Sequence, residues 1–142
     1  MRVLVIVKAT AESERGTMPS AEMVAEMGRY NDQLIAAGVM VDAGGLHPSR
    51  KGRRIDFAGG PPGVTDGPFA ETKELVGGYW IWQVKDIDDA VAWARKAPMQ
   101  TGAQLELRPF FEPEDFAGIA SDELIAQEKG WREDQLAKSP KT

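Results

Sequence analysis

A chain of 142 residues with 42% hydrophobic and 27% charged side chains has the size and make-up of one globular domain with a core of its own. It carries no cysteine and one histidine, which excludes disulfides, thiolate nucleophiles and Cys-ligated metals, so no metal is expected. The formal charge of −5 repels polyanions, so nucleic acid is not an expected partner, and no apolar run approaches the roughly 20 residues that span a bilayer.

In chain order, Arg2 to Lys8 is an apolar, β-branched run without helical periodicity, which suits a strand buried on both faces. Lys8, Glu12, Glu14 and Arg15 interrupt the N-terminus too early for a secretory signal, and a cytoplasmic location is expected. From Ser20, a plausible N-cap, Met23, Val24, Met27, Tyr30, Asn31, Leu34 and Ile35 form one stripe of a helix expected over about Ala21 to Ala37. Gly38 supplies its C-terminal stop, and a second strand is expected from Val39 to Ala43, ended by Gly44-Gly45.

The basic cluster Arg50, Lys51, Arg53 and Arg54 leads into Ile55-Asp56-Phe57, which alternates like a half-buried strand of a hairpin. Gly59-Gly60-Pro61-Pro62-Gly63 must be a loop, since proline lacks a ladder donor and glycine lacks a side chain to pack. Val64-Thr65 can add a short edge segment. Gly78 to Val84 follows as a strand with Tyr79, Ile81 and Gln83 on one face and Trp80, Trp82 and Val84 on the other. Asp86 caps a second helix carrying Ile87, Ala90, Val91 and Ala94 and stopped by Pro98, and Gln104 to Phe110 is the last core strand. The order β-α-β-β-β-α-β predicts an α+β, ferredoxin-like unit with two helices on one face of an antiparallel sheet. Beyond Pro113 a helical extension capped by Ser121 carries Leu124, Ile125, Trp131 and Leu136. The other sheet face is expected to be apolar and to be covered by a second copy of the chain, making a homodimer.

Chemistry-bearing residues concentrate between Thr65 and Trp80. Asp66, Glu71, Lys73 and Glu74 fall within nine positions, beside the forced turn of Gly67-Pro68 and the permissive Gly77-Gly78. Two carboxylates and an ammonium so spaced can share a proton or hold a polar ligand, although the same residues also suit a solvated turn. His47, at the end of a strand, is the one side chain of a type that changes charge near neutral pH, with Asp42 as its nearest candidate orienter. Arg54 and its basic neighbours can steer an anion, and Tyr79 can line a site beside the sheet. No P-loop, GxGxxG or nucleophile elbow is present, so no nucleotide cofactor and no Ser-His-Asp catalysis is expected.

The segment Thr65-Asp66-Gly67-Pro68-Phe69-Ala70-Glu71-Thr72-Lys73-Glu74-Leu75-Val76-Gly77-Gly78-Tyr79-Trp80 resembles the signature of DGPF-type proteins of the YCII-related family. The resemblance extends from Met1 to about Phe111 through Ala37-Gly38-Val39, Gly45-Leu46 and the acidic-capped second helix. It implies a domain over 1–112, a C-terminal extension over 113–142, and a dimeric α/β barrel with a cleft near the interface. In the family a His-Asp pair with its histidine on the first helix has been proposed as an active site; the first helix here has no histidine, so that chemistry is not carried over.

Two functions follow as expectations. One is a cofactor-independent lyase- or isomerase-type enzyme on a small polar or aromatic metabolite, with Asp66, Glu71 and His47 moving protons and Lys73, Arg54, Asp42 and Tyr79 binding substrate. The other is a non-catalytic small-molecule-binding or regulatory partner associated with an extracytoplasmic-function sigma factor, as the resemblance implies.

Overall fold

The computed structural model describes residues 1–138, with side chains throughout except at Lys73 and 135–138. Two compact units divide the chain, Met1–Pro109 and Phe110–Thr142.

In the first unit the strands are β1 (Arg2–Lys8), β2 (Met40–Gly45), β3 (Arg53–Asp56), β4 (Gly63–Asp66), β5 (Val76–Gln83) and β6 (Leu105–Pro109). The helices are a short α1 (Ala11–Glu14), α2 (Ala21–Ala36) and α3 (Ile87–Ala94). Four strands form an antiparallel sheet in the order β2-β5-β1-β6, the ferredoxin-like arrangement predicted by the order of elements. β3 and β4 pair only with each other, as a separate hairpin around the Gly-Pro loop.

The register decides which side chains are buried. β1 runs against β5 with Val3 opposite Trp82 and Val5 opposite Trp80, so two valines and two tryptophans share one face. Tyr30 and Leu34 of α2 and Ala90 of α3 cover that face, and Val3, Val5, Leu34, Trp82 and Ala90 are fully buried. Burying each of the larger side chains contributes about 1.5–3 kcal/mol before entropy is counted. Tyr30 meets Trp80 edge-on, with ring centroids 5.9 Å apart, and its hydroxyl donates to the Trp93 carbonyl at 2.7 Å. Burial pushes the Tyr30 phenol up to about 12.

Local signals set the element ends. Ser20 Oγ accepts the Met23 N–H at 3.2 Å, and Asp86 Oδ1 accepts the Asp89 N–H at 2.8 Å. Gly38, at φ 72°, turns the chain from α2 into β2 in a conformation that glycine adopts without steric cost.

The short α1 is started by a reciprocal Thr10–Ser13 capping box whose side chains each accept the other's N–H. Three expectations are corrected. Val24 and Ile35 are 58% and 61% exposed, because they lie roughly a third of a turn from Tyr30, outside the stripe that meets the sheet. Gly44 and Gly45 belong to β2, since their backbone still pairs with Tyr79 and Gly78. Ile55 and Phe57 are exposed rather than half-buried, because the two-stranded hairpin is not joined to the core sheet.

The opposite sheet face carries Leu4, Ile6 and Ile81, all half-buried, together with Lys8, Glu106 and Arg108. The Arg108 hydrogen bond, with help from Lys8, holds Glu106 below the usual carboxylate range.

The second unit begins with a turn at Pro113–Phe116, where Asp115 Oδ2 accepts the Glu112 N–H at 2.7 Å. It continues into α4 (Asp122–Lys138), capped by Ser121, whose Oγ accepts the Leu124 N–H at 3.2 Å. Gly130 lies within α4 without breaking it, Lys129 pairs with Glu114, and Trp131 is exposed. Leu136 lies outside the residues whose side chains are described.

The two core tryptophans differ in one atom's fate. Trp80 Nε1 donates to Asn31 Oδ1 at 2.9 Å, whereas Trp82 Nε1 is buried without an acceptor among the described residues. Trp80→Phe therefore removes packing and a hydrogen bond, while Trp82→Phe also relieves an unmet donor. Urea unfolding should show Trp80→Phe to be the more destabilising by about 1–2 kcal/mol.

Candidate functional site

One end of the sheet gathers the residues that carry chemistry. There β1 is leaving the sheet, β2 is ending and β5 is beginning, and backbone bonds tie them: Ala9 N–H to the Leu75 carbonyl at 2.8 Å and Leu46 N–H to the Gly77 carbonyl at 3.0 Å. The chain then loops out through the 3₁₀ turn Ser49–Lys51, the β3–β4 hairpin and the turn Thr72–Glu74 before re-entering the sheet.

A half-buried network fixes these loops to one another. The Glu14 carboxylate at the end of α1 accepts the Ser49 N–H at 3.0 Å and the Ser49 hydroxyl at 2.6 Å. Ser49 Oγ in turn accepts the Phe69 N–H at 3.1 Å, and the Arg50 guanidinium donates to the Glu14 carbonyl at 3.2 Å. Gly67 N–H reaches the Gly52 carbonyl at 3.1 Å. A Cβ on Gly67 would overlap the Ser49 carbonyl oxygen, so only glycine permits this approach. The Asp-Gly-Pro-Phe signature is thereby a clasp. Asp66 pairs with Arg53 at 2.8 Å, Gly67 admits the Ser49 backbone, and Phe69 supplies both an N–H for Ser49 and a ring for Arg54.

The clasp borders an open pocket of about 500 Å³ lined by Leu46, His47, Pro48, Ser49, Lys51, Gly52, Arg54, Phe69, Glu74, Leu75 and Val76. Its wall mixes two cations, one carboxylate and an imidazole with apolar side chains, a composition suited to a small amphiphilic ligand. A second cleft of about 360 Å³ lies between α2 and the β2–β5 edge, lined by Val7, Met27, Asn31, Gly44, Gly45, Gly77, Tyr79 and their neighbours. Among the described residues no three His, Asp or Glu side chains come together to hold a metal ion.

The sequence candidates separate between these places. His47 and Arg54 line the larger pocket and Tyr79 the smaller cleft. Asp42 does not orient His47: its Oδ2 accepts the Tyr79 hydroxyl at 2.9 Å and its Oδ1 accepts the Ala43 N–H at 2.8 Å. That bond to Asp42, and the carboxylate's charge, raise the Tyr79 phenol above its ordinary range. Asp66, 74% exposed and held by Arg53, lines neither pocket, and nor does Glu71, which precedes the Thr72–Glu74 turn without capping it. The Lys73 side chain lies outside the described residues.

Glu14, Ser49 and Phe69 were not among the sequence candidates. Gly67-Pro68 signals a close approach in the chain, but its partner lies 18 positions upstream with no motif of its own. Glu14 is 35 positions from Ser49 and looks like any solvated acid in the sequence.

Gly67→Ala must displace the Ser49 carbonyl and open the clasp. Its expected outcome is a loss of about 1–3 kcal/mol of stability. Faster hydrogen exchange at the Phe69 amide, with exchange at the Trp82 amide slowed as before relative to global unfolding, is the accompanying readout. Unchanged exchange at Phe69 would show that the clasp does not depend on Gly67.

Known proteins can be set beside this geometry. A profile of the YCII-related domain matches residues 1–112, which span the sheet, its helices and the clasp. An uncharacterised protein of Rhizobium meliloti (strain 1021) is 32% identical over 80 residues, covering 54% of this chain and 64% of the relative's length. No helix among the described residues is long and apolar enough to cross a membrane. The profile covers well over half of the sequence, and the chain belongs to the YCII-related domain family.

Proposed function

We propose that this protein binds a small polar or aromatic metabolite in the clasp pocket and acts on it as a cofactor-independent lyase- or isomerase-type enzyme. The observation that carries this is the sharing of one pocket of about 500 Å³ by His47, Glu74, Lys51 and Arg54. Histidine can move a proton near neutral pH, a carboxylate on the same wall can return it, and two cations can steady charge that develops on the substrate. In this reading Asp66, away from the pocket lining, acts by holding the loop that forms its wall through Arg53, Glu71 is a proton-transfer candidate on that loop, and Lys73 is a further candidate anion holder there. Tyr79 and Asp42 form a hydrogen-bonded pair at the neighbouring cleft.

A second reading is a non-catalytic ligand-binding or regulatory partner, with the link to an extracytoplasmic-function sigma factor that the family resemblance implies. It is favoured by the absence, among the described residues, of any carboxylate hydrogen-bonded to His47, while Asp42 and Asp66 are engaged elsewhere. A metabolite panel scored by thermal shift, followed by mass spectrometry of each stabilising compound after incubation, separates the two. Under the enzyme reading a stabilising compound is converted, and His47→Ala slows conversion by about 10²–10⁴-fold while binding persists. Binding without conversion by the wild-type chain would sink the enzyme reading and leave the regulatory one.

The protein is also read as a homodimer closed through the open sheet face, where Leu4, Ile6 and Ile81 stand without helix cover in the first unit. Sedimentation velocity should find a dimer, and Ile6→Glu should return a folded monomer, since a further carboxylate beside Glu106 costs far more once a second copy covers the face. A wild-type monomer at micromolar concentration would refute the pairing.

A further inference from the structure

We infer that the ligand of the clasp pocket is a monocarboxylate with an apolar body, its carboxylate gripped by Arg54; this rests on the pocket being a binding site, as proposed above.

The basis is the state of Arg54. Its guanidinium carbon stands 3.9 Å above the centre of the Phe69 ring, and Phe69 is itself held through its N–H by Ser49 Oγ at 3.1 Å. Beside this ring contact the guanidinium N–H groups have no hydrogen-bond acceptor among the described residues, and such groups match a carboxylate with two parallel hydrogen bonds. The adjacent Arg53 satisfies this need with Asp66 at 2.8 Å. Among the described residues no carboxylate pairs with Arg54 or with Lys51, although Glu74 lines the same pocket. An arginine fixed by an aromatic ring has surrendered side-chain freedom before any partner arrives, so an incoming anion meets a prepared fork.

Glu74 and the apolar wall narrow the class. A dianion such as phosphate meets the Glu74 charge and leaves Leu46, Leu75 and Val76 uncovered. A single carboxylate on a ring or short chain satisfies the fork and covers those side chains. A hydroxyl or amine on its body would give Glu74 a donor.

The test is a titration of the isotope-labelled full chain with benzoate, with its neutral isostere benzamide and with inorganic phosphate, following the amide signals of His47, Phe69 and Leu75. Benzoate should shift these signals saturably and benzamide at least tenfold more weakly. Arg54→Gln should weaken benzoate binding at least tenfold, Arg54→Lys by an intermediate factor, and Arg95→Gln, an equal loss of charge outside the pocket, by less than twofold. Unaltered Trp82 signals in each variant establish that the core is intact. Equal binding of benzamide and benzoate, or benzoate binding unchanged in Arg54→Gln, would overturn the carboxylate class while leaving the pocket as a ligand site. Phosphate binding more tightly than benzoate would likewise overturn it. No saturable shift at these amides with any of the three probes overturns the inference for this ligand class, and a metabolite panel also without hits removes the pocket reading beneath it.

Discussion

The antiparallel pairing of β1 with β5 is the constraint on which the remaining structure depends. Its register sets Val3 against Trp82 and Val5 against Trp80, so the largest buried side chains fall on the face that α2 and α3 cover. A slip of one residue would turn both tryptophans to the opposite face and present Tyr79 and Ile81 to the helices instead. The same pairing fixes where β5 begins, and hence where Leu75 and Val76 enter the pocket wall.

From that frame the loops gain their positions through a few polar contacts rather than through burial. β3 and β4 form a two-stranded hairpin with exposed side chains, an element of marginal stability by itself. What holds it is the chain of donors and acceptors running from Glu14 through Ser49 to the Phe69 backbone, together with the Gly67–Gly52 bond. Charge-assisted bonds to a carboxylate are stronger than neutral ones, which suits Glu14 as the anchor. A pocket walled by such loops has its backbone held at Ser49 and Phe69, while Lys51 and Arg54 have no carboxylate partner among the described residues. Rigid support with unspent hydrogen-bonding capacity is the arrangement that ligand recognition requires.

The signature segment therefore has two layers of meaning. Asp66 and Gly67 serve the loop through the Arg53 ion pair and the close approach to Ser49. Phe69 and Glu74 face the pocket. Proximity in sequence to a turn did not by itself bring the acidic residues together, because the turn directs Asp66 toward the hairpin partner and Glu74 toward the cavity.

Much of the fold was legible from the residues in order. Ser20 and Asp86 as caps, Gly38 as a stop, and the alternation of Trp80, Trp82 and Val84 against Tyr79, Ile81 and Gln83 are local signals, set by backbone geometry within a few positions. They also fixed the order of elements and hence the ferredoxin-like sheet. Tertiary structure alone decided that Val24 and Ile35 face solvent, that Asp42 answers Tyr79 rather than His47, and that Glu14, Ser49 and Phe69 form the clasp around Arg54. The Asp42–Tyr79 pair and the clasp hang on contacts between residues 15 positions apart at Arg54–Phe69 and up to 37 apart at Asp42–Tyr79, and neither helical nor strand periodicity carries information over such distances. Propensity and capping act along the chain, whereas a site is made where distant segments are pressed together by a shared core.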